Sequence, residues 1–318
     1  MKVLVLSEHD VEELLTMEEC IGVMEEALAA LARGELFNPL RQAIRPPGAA
    51  GLLGLMPAWR SGVRPYFALK EVCVFPENPK RGLDTHLGAV ILHSGETGEP
   101  LAFVNAAAVT AIRTAAVSAV ATRLLAREDA SVLAIVGAGA QAKAHARAIP
   151  LVRKLREVRV YSRGGDAAGF PGATLAVSAE DAIRGADIIV TATSSRVPVL
   201  RREWIAPGSH INAVGSSIAA ARELDSETLA ACALFVDRRE STLNESGDYL
   251  FAKVEGVIDE THIRAELGEL LTGTASGRSS RDEITLFKSL GLAVEDLASA
   301  AFLYEKARSL NRGVWVEF

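Results

Sequence analysis

The sequence predicts an α/β protein, with one domain built on a parallel sheet and a second, α+β domain assembled from both ends of the chain. Three observations carry this. From Ser131 to Gly291, short apolar runs alternate with helical patterns, as parallel strands covered by helices on both faces require. The region before it reads mainly as strands broken by Pro and Gly, with helices before and after. The last helical pattern, "AVEDLASAAFLYEKARSL", returns to that first region.

In chain order, "KVLVL" is a first strand. "TMEECIGVMEEALAALARG" is a helix, opened by the capping box Thr16/Glu19 and stopped by Gly34. "FNPLRQAIRPPGAAGLLGLMPAW" yields short strand pieces, and "YFALKEVCVF" is a strand with Lys70 among apolar neighbours. "LGAVILH" and "LAFVN" flank "SGETGEP" as a β-hairpin, and "VTAIRTAAVSAVATRLLARE" is a long helix. The second region then runs strand "SVLAIVG", helix "AQAKAHARAI", strand "EVRVYSR", "ATLAV", helix "SAEDAIRGA" and strand "DIIVTATS". "SHINAVG", "ALFVD" and "EITLFKSLG" complete the set.

The 318 residues suffice for two cores, and 49% hydrophobic with 23% charged residues is an ordinary globular composition. A net charge of −6 argues against nucleic acid or an anionic membrane as the main partner. The N-terminus is no signal peptide, because Glu8 and Asp10 follow a short apolar run. No uncharged apolar stretch reaches about 18 residues, so a membrane span is not expected. Three dispersed cysteines, without CxxC spacing, fit a reducing cytoplasm, and the scattered histidines give no expectation of a metal site.

"VGAGAQA" puts Gly137, Gly139 and Ala142 directly after a strand and before a helix. The first glycine permits the tight turn, the second lets backbone approach a pyrophosphate, and the third position needs only a small residue. The helix N-terminus offers free N–H groups to the phosphates. This is the dinucleotide turn of a Rossmann-type domain. The next strand ends in Ser162 and Arg163, where a site reading ribose hydroxyls would carry a carboxylate. A hydroxyl and a guanidinium suit a 2′-phosphate, which favours NADP(H), with NAD(H) as the alternative.

Lys70 in its apolar strand either snorkels outward or is held in a site. Arg45 follows another strand piece, and Arg113 lies in the helix after the hairpin, beside Thr114. Each alone reads as a surface charge, and together they suggest a cationic pocket for a carboxylate or phosphate. Asp225 and Glu283 read as element-boundary residues. Ser216 and Ser217 follow "NAVG" at the carboxyl end of a strand, where open α/β sheets bind ligands.

With these residues in view, the chain resembles the ornithine cyclodeaminase/mu-crystallin family over nearly its whole length. The resemblance rests on "LMPAW", "ALKEV", "ENPKRGLDTHLG", "TGEPLA", "TAIRTAA", "LAIVGAGAQA", "INAVGSS", "RELD" and "EITLFKSLGLAVEDLASA", in that order. It implies a Rossmann-type domain over 123–295 that binds NAD(H) or NADP(H). It also implies a substrate-binding domain over 1–122 and 296–318 that dimerises through its sheet, with substrate between the domains. By the same resemblance Arg45, Lys70 and Arg113 are the catalytic residues that hold an amino- or imino-acid substrate, with Met56 and Ser217 beside it. Thr85, Thr114, Gly137, Ala138, Gly139, Ala140, Gln141, Ser162, Arg163, Thr193, Val214 and Lys288 fall at or near cofactor positions.

The family includes cyclodeaminases that turn ornithine into proline and ammonia, amino-acid dehydrogenases, ketimine reductases, and mu-crystallin, which binds thyroid hormone. Two departures decide among them. The cyclodeaminase pattern has aspartate where this chain has Ser217, and glutamate where it has Gly54. Without both carboxylates the second ammonium of a diamino acid would be buried unpaired, which is costly. The expectation is therefore an NADP(H)-preferring oxidoreductase that reduces imino acids or ketimines, or oxidises small amino acids. The alternatives are ornithine cyclisation, or ligand binding without turnover.

Overall fold

Two capping boxes start the chain's first helices. After strand β1 (Lys2–Leu6), Ser7 pairs with Asp10 to open α1 (Glu8–Leu14), and Thr16 pairs with Glu19 to open α2 (Met17–Ala32). Gly34, at φ +76°, ends α2 as expected. Strands β2 (Leu36–Phe37), β3 (Gln42–Ile44), β4 (Leu52–Arg60), β5 (Tyr66–Val74), β6 (His86–Ser94) and β7 (Pro100–Asn105) follow, then helix α3 (Ala106–Leu125). The computed structural model describes residues 1–165 and 169–318.

The second half runs β8 (Val132–Val136), α4 (Ala140–Ala148), β9 (Glu157–Tyr161), β10 (Thr174–Leu175), α5 (Ala179–Ile183), β11 (Ile188–Thr191) and β12 (His210–Ala213). It continues with α6 (Ser226–Ala230), β13 (Ala233–Val236), α7 (Arg239–Glu245), α8 (Gly247–Val254), β14 (Ile263–Glu266), α9 (Leu267–Leu271) and β15 (Thr285–Lys288). Helix α10 (Ala293–Leu310) and strand β16 (Val314–Glu317) close the chain. The chain divides into Met1–Arg113 with Leu292–Phe318, and Thr114–Gly291. One division falls inside α3, the other just ahead of α10.

The first unit is an eight-stranded mixed sheet ordered β16-β1-β7-β6-β5-β4-β2, with β3 also on β4. The β6–β7 hairpin is present as expected. Strand β16, which the sequence reading did not foresee, pairs antiparallel with β1. Alternation sorts the sheet into two faces. On one face Met56, Ala58, Tyr66, Ala68, Lys70, Val90, Leu92, Ala102 and Val104 are buried, with α10 lying across β4, β5 and β6 and α2 packed on α10. On the other face Leu53, Leu55, Trp59, Leu69, Ile91 and Phe103 are half-buried and Phe67 is exposed.

The second unit confirms the parallel-sheet expectation: eight strands, all parallel, in the order β10-β9-β8-β11-β12-β15-β13-β14. Its central strands β8, β11, β12 and β15 are fully buried, hence their mostly apolar character. The strand order reverses direction at β8, and that switch point is where open α/β sheets place their ligands. Helix α3 is long and apolar enough to cross a membrane, but 78% of its apolar window is buried inside the fold, as in a core helix. Within the second unit its Ser118 and Thr122 bond to buried His145 and Asn212, so the helix is seated by polar contacts as well as apolar ones.

One buried carboxylate organises the carboxyl edge of this sheet. Glu223 Oε1 accepts from the Thr193 N–H at 2.7 Å and the Thr193 hydroxyl at 2.6 Å. Its Oε2 accepts from the Thr191 hydroxyl and the Gly215 N–H, both at 2.8 Å. The loops after β11 and β12 are thus tied to one side chain. Gly215 has no room for a side chain, since a Cβ there would lie 2.4 Å from Glu223 Oε1. Asp248 Oδ1 in turn accepts from the N–H groups of Glu223 and Leu224. Burial pushes the Glu223 carboxyl group up, against the pull of Lys288 and the threonine hydroxyls. Glu223→Gln puts an amide donor opposite the Thr193 or Gly215 N–H, and an unsatisfied buried donor costs about 1–3 kcal/mol. Calorimetry should show a lower melting temperature for this variant; an unchanged one would mean the clamp is dispensable.

Candidate active site

Lys70 and Arg113 come together in the first unit, from β5 and from the first turns of α3. Neither snorkels outward: Lys70 is 4% exposed and Arg113 is 4% exposed. Alternation turns Lys70 to the covered face of the sheet, opposite Met56 on β4 and Val90 on β6. Lys70 Nζ donates to the Thr110 hydroxyl at 2.6 Å and to Asp296 Oδ1 at 3.2 Å. Arg113 Nε donates to the same Asp296 oxygen at 3.1 Å, and its NH1 donates to Glu295 Oε2 at 2.9 Å. Two buried cations are therefore matched by two buried carboxylates from the first turn of α10. Burial, with Arg113 and Arg41 nearby, draws the Lys70 ammonium down to about 8, while Asp296 holds it up. A group poised there can carry either a proton or a free amine near neutral pH.

The other expected substrate residues sit differently. Met56 is buried, directly opposite Lys70. Arg45 is exposed, just beyond the end of β3. Gly54 pairs with Ala43 and Val72 on the Lys70 face, and a Cβ there would already approach Val72 to 3.2 Å. Thr85 is half-buried ahead of β6, and its carbonyl accepts from the Phe75 N–H. In the second unit, Ser217 is half-buried in the loop after β12, and Ser216 is buried and donates to the Ala221 carbonyl.

The glycine turn has the form the motif requires. Gly137, at φ +126°, follows β8, and a Cβ there would stand 2.3 Å from the Ala192 carbonyl oxygen. Only glycine meets both conditions. Gly139 is the N-cap of α4, with no side chain capping that end and open space where a Cβ would project. Ala142 is fully buried, packed with Leu133, Ile135, Val160 and Val190, so its small side chain serves helix–strand packing. Gly139, Ala140 and the N-terminus of α4 are exposed, with Ala138 and Gln141 half-buried behind them. This open cradle of backbone N–H groups at a positive helix end fits a dinucleotide pyrophosphate.

Around it, Ser162 is half-buried and Arg163 exposed at the end of β9. Thr193 is held by Glu223 and Val214 is buried after β12. Thr114 is buried in α3. Lys288, at the end of β15, is 1% exposed, with Nζ 2.9 Å from Asp248 Oδ2 but misaligned for a hydrogen bond. Its charge is spent on an internal ion pair. Asp225 caps α6, accepting from the Thr228 N–H, and Glu283 accepts from the Ser279 N–H in a loop, as their boundary readings anticipated.

Sequence reasoning missed Thr110, Glu223, Asp248, Glu295 and Asp296. Acidic residues in a first helical turn look like ordinary dipole partners. The available signal was indirect: a lysine in an apolar strand and an arginine on an apolar helix must meet buried anions somewhere in the chain.

Comparison with known proteins agrees with the fold and with these motifs. The profile of the ornithine cyclodeaminase/mu-crystallin family matches residues 1–311. A Delta(1)-pyrroline-2-carboxylate reductase of Bacillus cereus is 39% identical, over 99% of this chain and 100% of that protein. The structure of Thermococcus litoralis Delta(1)-pyrroline-2-carboxylate reductase in complex with NADH and L-proline superposes with a TM-score of 0.93, at 40% identity, covering 98% of this chain and 99% of that one. An archaeal alanine dehydrogenase dimer with bound NAD gives the same TM-score at 37% identity, covering 100% of both chains. The chain belongs to the ornithine cyclodeaminase/mu-crystallin family.

Proposed function

We propose that the protein is a nicotinamide-dinucleotide-dependent oxidoreductase that reduces the C=N bond of a small imino acid, running in reverse as an amino-acid oxidation. One observation carries the reading: a buried lysine, poised between its charged and neutral forms, lies beside a buried arginine in a family whose similar members are imino-acid reductases and an amino-acid dehydrogenase.

In this reading Arg45 and Arg113 bind the substrate carboxylate, and Met56 and Ser217 line the remainder of the substrate. Lys70 has three ammonium donors; Thr110 and Asp296 take two, leaving one for the substrate. A bound dihydronicotinamide supplies hydride to the carbon that carries the nitrogen. Lys70 Nζ gives a proton to the imine nitrogen in reduction and takes one from the ammonium in oxidation. The iminium carbon is already electrophilic, so placement and charge do most of the work.

The backbone of Gly137, Ala138, Gly139, Ala140 and Gln141 receives the pyrophosphate, and Thr85, Thr114, Thr193, Val214 and Lys288 are the further cofactor positions. Ser162 and Arg163 set the preference for NADP(H) over NAD(H). Gly54 and Ser217 supply no acceptor for a distal ammonium, which favours a cyclic or apolar imino acid over ornithine. The free thiols of Cys20, Cys73 and Cys232 suit a cytoplasmic setting. The uncovered sheet face, with Phe67, Trp59, Leu55 and Phe103, is covered by a second copy of the chain, as apolar patches of this kind call for; the archaeal relative is a dimer.

Three measurements test this. Incubation with a pyrroline carboxylate and NADPH should oxidise the cofactor in proportion to the cyclic amino acid formed. Proline and ammonia released from L-ornithine, without net cofactor turnover, would overturn the assignment. Arg163→Ala should weaken NADPH binding at least tenfold more than NADH binding, since a paired charged contact is worth about 1.5–3 kcal/mol; equal losses would remove Arg163 from the 2′-phosphate. In solution the mass should be twice the 33.7 kDa of one chain, and Phe67→Asp should halve it; a monomeric wild type would refute the paired sheet faces.

A further inference from the structure

We infer that Asp296 is a positioning residue of the active site, holding Lys70 and Arg113 in a single arrangement and keeping the lysine charged when an imino acid arrives. The inference rests on the proposed reaction and extends it to a residue that touches neither substrate nor cofactor.

The geometry is that of a fork. One oxygen, Asp296 Oδ1, accepts from Lys70 Nζ at 3.2 Å and from Arg113 Nε at 3.1 Å. The two donors come from a strand and a helix, while Asp296 comes from α10, 226 residues after the lysine. Its side chain is 1% exposed. Its other oxygen, Oδ2, is buried and accepts no hydrogen bond among the described residues. A purely structural carboxylate would be expected to saturate both oxygens, because a buried acceptor left over is costly.

The charges around Lys70 explain why this anion matters. Arg113 from α3 and Arg41 ahead of β3 repel the ammonium, and burial together with the Lys70 charge lowers His86 on β6. Thr110 is neutral. Glu295 bonds to Arg113. Asp296 is the carboxylate that pairs directly with Lys70. Without it, burial and two guanidinium groups act on the lysine unopposed, and a neutral Lys70 neither attracts a carboxylate nor protonates an imine.

The sign follows. Lys70 is protonated below its pKa of about 8, so reduction needs the low-pH side and fades as pH rises through that value. An opposite charge at this range shifts a pKa by about 1–3 units. Asp296→Asn should therefore move the alkaline limb of reductive kcat/KM down by at least one unit and raise KM for the imino acid. Nitrogen-15 NMR of labelled lysine side chains, with the Lys70 signal identified by its loss in Lys70→Met, should show the same downward shift without any turnover. Asp296→Glu keeps the charge but displaces it. Its alkaline limb should stay near the wild-type position while KM for the imino acid rises several-fold.

A folded Asp296→Asn protein whose Lys70 signal titrates as in wild type overturns the inference. Should that variant fail to fold, a wild-type KM in Asp296→Glu overturns it instead. Absence of imino-acid turnover in the wild type would refute the proposed reaction and leave the NMR titration to decide the role of Asp296.

Discussion

Charge that is taken out of water must be matched, and in this protein that constraint ties the chain's ends together. Lys70 and Arg113 lie on largely apolar elements, and neither ammonium nor guanidinium could be buried there alone. Glu295 and Asp296 answer them from the first turn of α10. The C-terminal helix must therefore return to the N-terminal sheet, and it does so across β4, β5 and β6, over the face that carries the lysine. Val294 reinforces the seat by donating its N–H to buried Asn38. Burial loosens the proton of Lys70 and the pairing with Asp296 holds it, a balance that suits the proton transfer proposed at a C=N bond.

The second unit solves a different problem, bringing backbone close to a polyanion. Gly137 is confined by the Ala192 carbonyl and by its positive φ, Gly139 faces open space, and Ala142 is sealed into the helix–strand contact. Each position of one short motif has its own physical reason. The neighbouring loops are held by the Glu223 carboxylate, which receives four hydrogen bonds from two loops. Preorganisation of this kind spares the ordering cost that floppy loops would meet on binding a ligand. Lys288, level with Ala213 at the end of its strand, is ion-paired with Asp248, the same residue that accepts from the Glu223 N–H.

Within a family that hosts ring-forming deaminases, reductases and dehydrogenases, the activity is decided by a few positions around a shared frame. The frame here retains the basic residues suited to a carboxylate. At Gly54 the tight approach of Val72 leaves little room for a longer side chain without repacking, and Ser217 offers a hydroxyl where a cyclodeaminase would offer a carboxylate. In the proposed function both favour a substrate with one nitrogen.

Much of this was legible in order along the chain. The capping box at Thr16, the β6–β7 hairpin, the parallel strands from β8 onward and the glycine turn are local patterns, and local patterns survive folding. The 239–271 region, with α7, α8, β14 and α9, was not read from the sequence, and the short strand β16 was not legible because its partner β1 lies at the other end of the chain. So it was with the active site. By itself the sequence determined that a lysine and an arginine sit in apolar surroundings, that a dinucleotide turn follows β8, and that two cyclodeaminase carboxylates are missing. Only the tertiary structure decided that Lys70 faces inward, that Asp296 is its counterion and Glu295 that of Arg113, and that Glu223 carries the loops beside the turn. The reason is physical: a motif is set by neighbours along the chain, whereas the partner of a buried charge is whichever group the fold brings within about 3 Å of it.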